Sequence, residues 1–435
     1  MNIQSNEARC TSCHAGYGWK GKDFDFADQS RVDCLVCHEQ TGTYKKFPAG
    51  AGHPVAEKKV FKGNKKTYYP PDYNKVAQSV GRPTRNNCGT CHFYGGGGDG
   101  VKHGDLDSSL FKPSKALDVH MSEDGQNFDC VRCHSTTLHN IAGRVYATPA
   151  SDHRKSLIED DLASKITCES CHSSTPHANH AKANDHTDRV ACQSCHIPRY
   201  ARVNPTKMNW DWSTAGKKKD GKPYAVPGKH GKAEYHTKKG SFEWARDVVP
   251  EYFWFNGSIE HLTLKDTIDP GKPVKINQPV GSREDENSRI FPFKVHRGKQ
   301  PYDKVNKTFV IPHLFPKGKD DQTAYWKKYD WSKAISAGME YADLPYSGEF
   351  DFVETSYVYP TTHMVAPKEN VVSCSECHTS SGSRIANLAG FYMPARDRSG
   401  LVDVLGWMLI LGSILGVTLH GLGRMFTRGK NGEED

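Results

Sequence analysis

The chain has 435 residues, 36% of them hydrophobic, and a formal net charge of +8. That length admits two or three ordinary domains, yet the apolar fraction is low for side chains alone to build their cores. The basic residues are scattered with no recognition motif beside them, which argues against a nucleic-acid partner.

The cysteines supply the first positive signal. All 14 fall into the pentad Cys-x-x-Cys-His, with none left for disulfides or zinc. The pentads are Cys10-Cys13-His14, Cys34-Cys37-His38, Cys88-Cys91-His92, Cys130-Cys133-His134, Cys168-Cys171-His172, Cys192-Cys195-His196 and, far downstream, Cys374-Cys377-His378. Two thiols three positions apart can form thioethers to both vinyl groups of one haem, and the histidine that follows can reach the iron. The reading is covalent haem c, seven times in this chain. Porphyrins then replace much of the missing apolar core. Each haem brings about two propionates, so the excess of Lys and Arg says little about acidic partners.

Thioether attachment implies an exported, periplasmic setting, but the opening Met-Asn-Ile-Gln-Ser-Asn-Glu shows no charged n-region and no apolar h-region. An incomplete N-terminus is therefore expected. Residues 1–199 read as a haem-dense domain of short helices carrying the pentads, joined by loops that wrap the porphyrins. The run from Ser151 to Lys165 is helix-like, with Ser151 as N-cap and a partial apolar face of Leu157, Ile158, Leu162 and Ile166.

Residues 200–372 carry no pentad and are rich in aromatics, among them Trp210, Trp212, Trp244 and Tyr252-Phe253-Trp254-Phe255. This segment reads as a cover over the haem array, irregular with a few short strands. One helix is expected from Asp320 to about Met339, its acidic start suiting the positive end of the helix dipole. Residues 373–398 hold the last pentad. Residues 401–423 are long and apolar enough to cross a bilayer, with Asp403 and Trp407 near one end. Arg424, Arg428 and Lys430 follow the other end, which places the tail, residues 424–435, in the cytoplasm and the haem domain in the periplasm. The expected fold is mainly α with much irregular structure: a multihaem cytochrome c wrapped around a haem array, plus one C-terminal transmembrane helix.

Of 22 histidines, those outside the pentads are candidate sixth ligands, because neutral imidazole suits haem iron. Within the haem-dense part these are His103, His120, His139, His153, His177, His180 and His186, and His363 precedes the last pentad. His230, His236, His261, His296 and His313 read as surface or satisfied core residues. A chain whose every iron had two histidines could only pass electrons; catalysis needs an exchangeable position. The run Phe93-Tyr94-Gly95-Gly96-Gly97-Gly98-Asp99-Gly100-Val101-Lys102-His103-Gly104-Asp105 offers one. Its glycines let backbone approach a flat cofactor closely, and it delivers Asp99, Lys102 and His103. A desolvated lysine amine can coordinate iron or face an oxyanion. The bland alternative is a flexible loop with a solvated lysine.

Taken together, Asn6–Lys20, Val32–His38, the Gly95–Asp105 loop, Pro205-Thr206-Lys207-Met208 and Trp210-Asp211-Trp212 resemble the octahaem tetrathionate reductase family, relatives of pentahaem nitrite reductases and hydroxylamine oxidoreductases. The likeness runs from residue 6 to about 396. It implies an eighth haem and an export signal upstream of the present start. It also implies one catalytic haem with a lysine ligand from outside its pentad. Lys102 is the best match to that lysine, with Lys45 and Lys46 as alternatives, Asp99 lining the pocket, and the Cys10–His14 haem as its counterpart. The function implied is a reductase of small sulfur or nitrogen oxoanions such as tetrathionate, nitrite or hydroxylamine. The C-terminal span suggests anchoring in the bacterial inner membrane, with electrons from quinol or a membrane cytochrome. The alternatives are an electron-transfer cytochrome without catalysis, or hydroxylamine oxidation in the reverse direction.

Overall fold

The computed structural model describes residues 11–19, 21, 23–61, 65–137, 139–143, 166–393, 395–397 and 399–428. Cys10, His153 and the helix expected over 151–165 lie outside the described residues. The chain divides into two compact units, one running to Val372 and the other from Ser373.

In the first unit, the haem-dense stretch consists of short helices at the pentads and long connecting loops. The helices used below are α1 (Leu35–His38), α2 (Arg85–His92), α3 (Cys130–Cys133) and α4 (Cys192–His196). The longest, α2, opens on a reciprocal capping box in which Thr84 and Asn87 satisfy each other's backbone N–H groups. The apolar core here is small, formed by Phe93, Leu110, Leu117, Met121 and Met364.

Residues 206–360 depart from the expectation of a mainly α protein with a few short strands: they build a nine-stranded mixed sheet. Its strands are β1 (Thr206–Asp211), β2 (Ala225–Pro227), β3 (Ala233–His236), β4 (Gly240–Ala245), β5 (Glu251–Phe255), β6 (Val274–Lys275), β7 (Arg289–Asp303), β8 (Thr308–Phe309) and β9 (Phe350–Pro360). The order is β6-β9-β7-β1-β4-β3-β2, with β5 and β8 also paired to β7. β7 runs antiparallel to β9 from Phe293 opposite Pro360 to Asp303 opposite Phe350, and parallel to β1 at Arg297–Lys299. Alternation along β7 sends Phe291, Phe293 and Val295 into a core with Phe253, Phe255, Ile259 and Val358. Lys294 and His296 point to the opposite face, which is also buried. These polar residues on an enclosed face hide the strand from a simple hydrophobic reading.

The helix expected from Asp320 begins later. Tyr329, at φ 60°, separates a single turn over Tyr325–Lys328 from α5 (Trp331–Tyr341). Asp330 caps α5 by accepting from the Lys333 N–H. Asp321 instead organises a turn, accepting from the N–H groups of Thr323 and Ala324 and from His313 Nε2.

In the second unit, α6 (Cys374–Cys377) opens on a capping box of Ser373 and Glu376, and Glu376 pairs with Arg384 at 2.5 Å. α7 (Gly400–Arg428) is long and apolar enough to cross a membrane. Its Ser413 and Thr418 hydroxyls donate to the carbonyls of Leu409 and Ile414, so the helix satisfies its own polar side chains.

Candidate functional site

One helical turn puts the two cysteines and the histidine of a pentad on one side of the chain. The turns are closed by main-chain bonds to the first cysteine's carbonyl, at 3.1 Å from His38 and 2.9 Å from His134, His172 and His378. In the first unit the described pentads lie beside one another. A hydrogen bond joins Cys13 to Cys91, another Cys88 to Cys130, and a third Cys168 to Cys192. Cys37 lies within electrostatic reach of Cys88, and Cys133 within reach of Cys171. In the haem-loaded protein these sulfurs are thioethers, so the contacts report only which pentads are neighbours. They trace a continuous line: the first and second pentads both meet the third, which leads through the fourth and fifth to the sixth.

The histidines test whether haem fits. With metal–imidazole bonds of about 2 Å, two imidazoles on opposite faces of one iron have ring centres about 6 Å apart. Four pentad histidines face a histidine from elsewhere at that spacing. His38 faces His139 at 6.4 Å, His172 faces His120 at 6.2 Å, His134 faces His363 at 6.2 Å, and His196 faces His177 at 6.0 Å. Four of these eight imidazoles have an identified partner for Nδ1. Nδ1 of His38 donates to the Gly81 carbonyl, that of His134 to the Ala142 carbonyl, and that of His177 to Asn184 Oδ1. His363 Nδ1 donates to Asp105 Oδ2 at 3.2 Å. Each acceptor fixes the proton on Nδ1 and leaves Nε2 free for a metal. The residues present therefore fit haem, and His139, His120, His363 and His177 would hold it together with the pentad histidines they face. Bound haem supplies one-electron chemistry.

The remaining candidates are placed differently. His186 Nδ1 bonds to the Lys182 carbonyl at 2.6 Å, and His180 sits at the start of the turn over Ala181–Asn184. His103 is enclosed, its ring tilted against Tyr359 at 5.2 Å. Burial drives its imidazole down to about 3, against the pull of Asp105.

Lys102 and His103 belong to a cluster that the Gly95–Asp105 loop builds against the sheet. Gly100 has φ +68°, and a Cβ there would lie 2.4 Å from the Pro205 carbonyl oxygen, so only glycine fits. Its carbonyl accepts from the Lys207 N–H and the Thr206 hydroxyl. Lys294, fully buried, donates to the Lys102 carbonyl at 2.9 Å and to Thr206 Oγ1. The Lys102 amine lies 5.5 Å from the Tyr359 ring and is lowered by burial. Burial takes Lys294 to about 7 and, helped by Lys239, Lys294 and Lys232, takes Lys207 to about 6. The Lys207 amine is boxed by Trp210 at 3.6 Å, Phe242 at 3.9 Å and Trp244 at 5.1 Å. His296 completes this face by bonding to the Lys207 carbonyl at 3.0 Å.

Several expectations change. Asp99 does not line a pocket with a free carboxylate: its two oxygens accept from the N–H and hydroxyl of Ser108, so it shapes the loop. The acid within the cluster is Asp105. Lys46 is a tie, donating to the carbonyls of His14 and Gly16 and pairing with Asp33 at 3.3 Å. It is Lys46 that acts electrostatically on His14, whereas Lys102 acts on His92 and His103. The juxtaposition observed for Lys102 is thus with the third pentad. Lys207, Lys294 and Asp105 are site residues that the sequence does not single out, and His296, expected as a surface or satisfied core residue, lies with them. The usable signal was β7 itself, where Phe-Lys-Val-His alternation points two titratable residues the same way.

The bacterial cytochrome c family model matches residues 207–381. An uncharacterised protein of Archaeoglobus fulgidus is 28% identical over 140 residues, covering 30% of this chain and 46% of that protein, so the chain spans less than half its length. The crystal structure of an octahaem cytochrome c from Shewanella oneidensis is similar at 43% identity and TM-score 0.77, covering 92% of this chain and 84% of that one. With its pentads, opposed imidazoles and this extent of likeness, the chain belongs to the octahaem cytochrome c family of multihaem c-type cytochromes.

Proposed function

We propose that this cytochrome is a periplasmic reductase that passes electrons along its line of pentads to a haem served by Lys102, where a small sulfur or nitrogen oxoanion is reduced. Tetrathionate, nitrite and hydroxylamine are the substrates to test. The observation that carries the reading is the cluster of half-buried Lys102 and His103 with buried Lys207 and Lys294 beside the third pentad. Amines gathered away from water favour an anion. Amines held near or below neutrality can also donate and accept protons without large cost. Lys102 would present its amine to the haem and to an incoming oxoanion, and His103 stands next to it. Asp99 acts one step back by holding the loop. α7 anchors the chain in the inner membrane, its basic end in the cytoplasm, and quinol or a membrane cytochrome supplies electrons.

The test is Lys102→Leu in the haem-loaded protein with a viologen donor. Reduction of all three substrates should be lost while most of the haem spectrum is kept, and one minority signal should vanish from the electron paramagnetic resonance spectrum. Unchanged turnover with an unchanged spectrum would leave the chain as an electron-transfer cytochrome.

A further inference from the structure

Among the imidazoles of the four opposed pairs, the ring nitrogens with an identified acceptor meet two main-chain carbonyls, one amide oxygen and one carboxylate. The carboxylate is Asp105, whose residue is only 2% exposed. Its Oδ2 accepts from the N–H of Thr362 at 2.8 Å, the N–H of His363 at 3.0 Å and His363 Nδ1 at 3.2 Å, with the Thr362 hydroxyl at 3.5 Å. Two main-chain donors hold the oxygen in place, so it cannot turn away from the ring. The buried Lys294 amine is spent on the Lys102 carbonyl and Thr206 rather than on this carboxylate. The His363 side chain is still 27% exposed, so it is open on part of its surface.

We propose that Asp105 is a positioning and tuning residue that makes the haem held by His134 and His363 the one with the most negative potential among the four opposed pairs. An imidazole whose N–H points at a buried carboxylate gives more electron density to its metal than one bonded to a neutral oxygen. That stabilises the ferric state. The fourth pentad adjoins the third, which is beside the Lys102 cluster, and adjoins the fifth on its other side. Within that ranking, an electron resting on this haem has a downhill step to its neighbour at the fifth pentad. The proposal rests on the haem ligation geometry and not on the oxoanion, so the Lys102 test can fail while this one succeeds, and the reverse.

The experiment is potentiometric titration of the full haem-loaded chain, wild type against Asp105→Asn, followed by optical and electron paramagnetic resonance spectra. Asn retains an oxygen for the backbone and ring donors but removes the charge. One low-spin haem should move positive by about tenfold in its one-electron equilibrium, ~59 mV, with its resonance altered and the others in place. Asp118→Asn is the comparison, since that buried carboxylate also acts on His363 through its charge but accepts from main-chain N–H groups rather than from the ring, so its shift should be smaller. An equal shift in both variants, or none in Asp105→Asn, overturns the proposal. If Asp105→Asn fails to load haem, the wild type decides. It must contain one low-spin haem below the rest in potential, with a resonance of strong imidazolate character, and its absence is equally fatal.

Discussion

Among the described residues up to Arg199 the longest helix has eight residues, whereas β7 alone is a strand of fifteen. Among the described residues the first region holds a small apolar core, while the second stacks aromatic and aliphatic clusters on and around its sheet. Both belong to one compact unit, so the difference is not one of domain independence. It reflects what each region has to bury. Where porphyrins supply the apolar surface, the polypeptide needs only to place cysteines and imidazoles, and loops do that well. Where no porphyrin is attached, the chain must supply its own core and does so with paired strands.

The largest effect should come from removing attachment in the first region. Cys130→Ala with Cys133→Ala should collapse order around the fourth pentad and leave the sheet as the protease-resistant part. Haem counting by mass and limited proteolysis read both. Equal resistance of the two regions would erase the contrast. Phe293, fully buried in the sheet core, sharpens the other side. Phe293→Ala should cost about 3–5 kcal/mol in chemical denaturation with haem content unchanged; haem loss would mean that the regions share one core. Arg289→Ala should do least. It removes a 2.6 Å ion pair between β7 and Glu169 of the fifth pentad, but both side chains are about a third exposed. The expected loss is ~0.2–1 kcal/mol, because main-chain bonds from Ala191 to the Ile290 carbonyl and from Ile290 to the Arg189 carbonyl still join the regions. A larger loss, measured by the same denaturation, would make the salt bridge the main seam.

What could be read from sequence follows the same division. Pentads announce themselves because two thioethers and one axial bond fix residue types at fixed spacing. His120, His139, His177 and His363 stand out in the sequence as candidate ligands, but the histidines they face do not: His363 reaches His134 across more than two hundred positions, a relation that only tertiary structure creates. The sheet was underestimated because Lys294 and His296 sit on a face that reads as solvent-facing and is in fact enclosed. Asp99 was favoured over Asp105 because both follow glycines in one loop, and only the fold shows that Ser108 takes the first and His363 the second.

Asp118 has a mechanical consequence. One oxygen of its carboxylate accepts from the N–H groups of His120 and Met121, and the other from those of Met364 and Val365. A single side chain thereby staples together the two backbone segments that carry His120 and His363, which face the histidines of neighbouring pentads. Neither segment can lift away without breaking bonds that steady the other. Local opening is accordingly a concerted event of the pair, and two neighbouring links of the wire stay assembled or loosen as one.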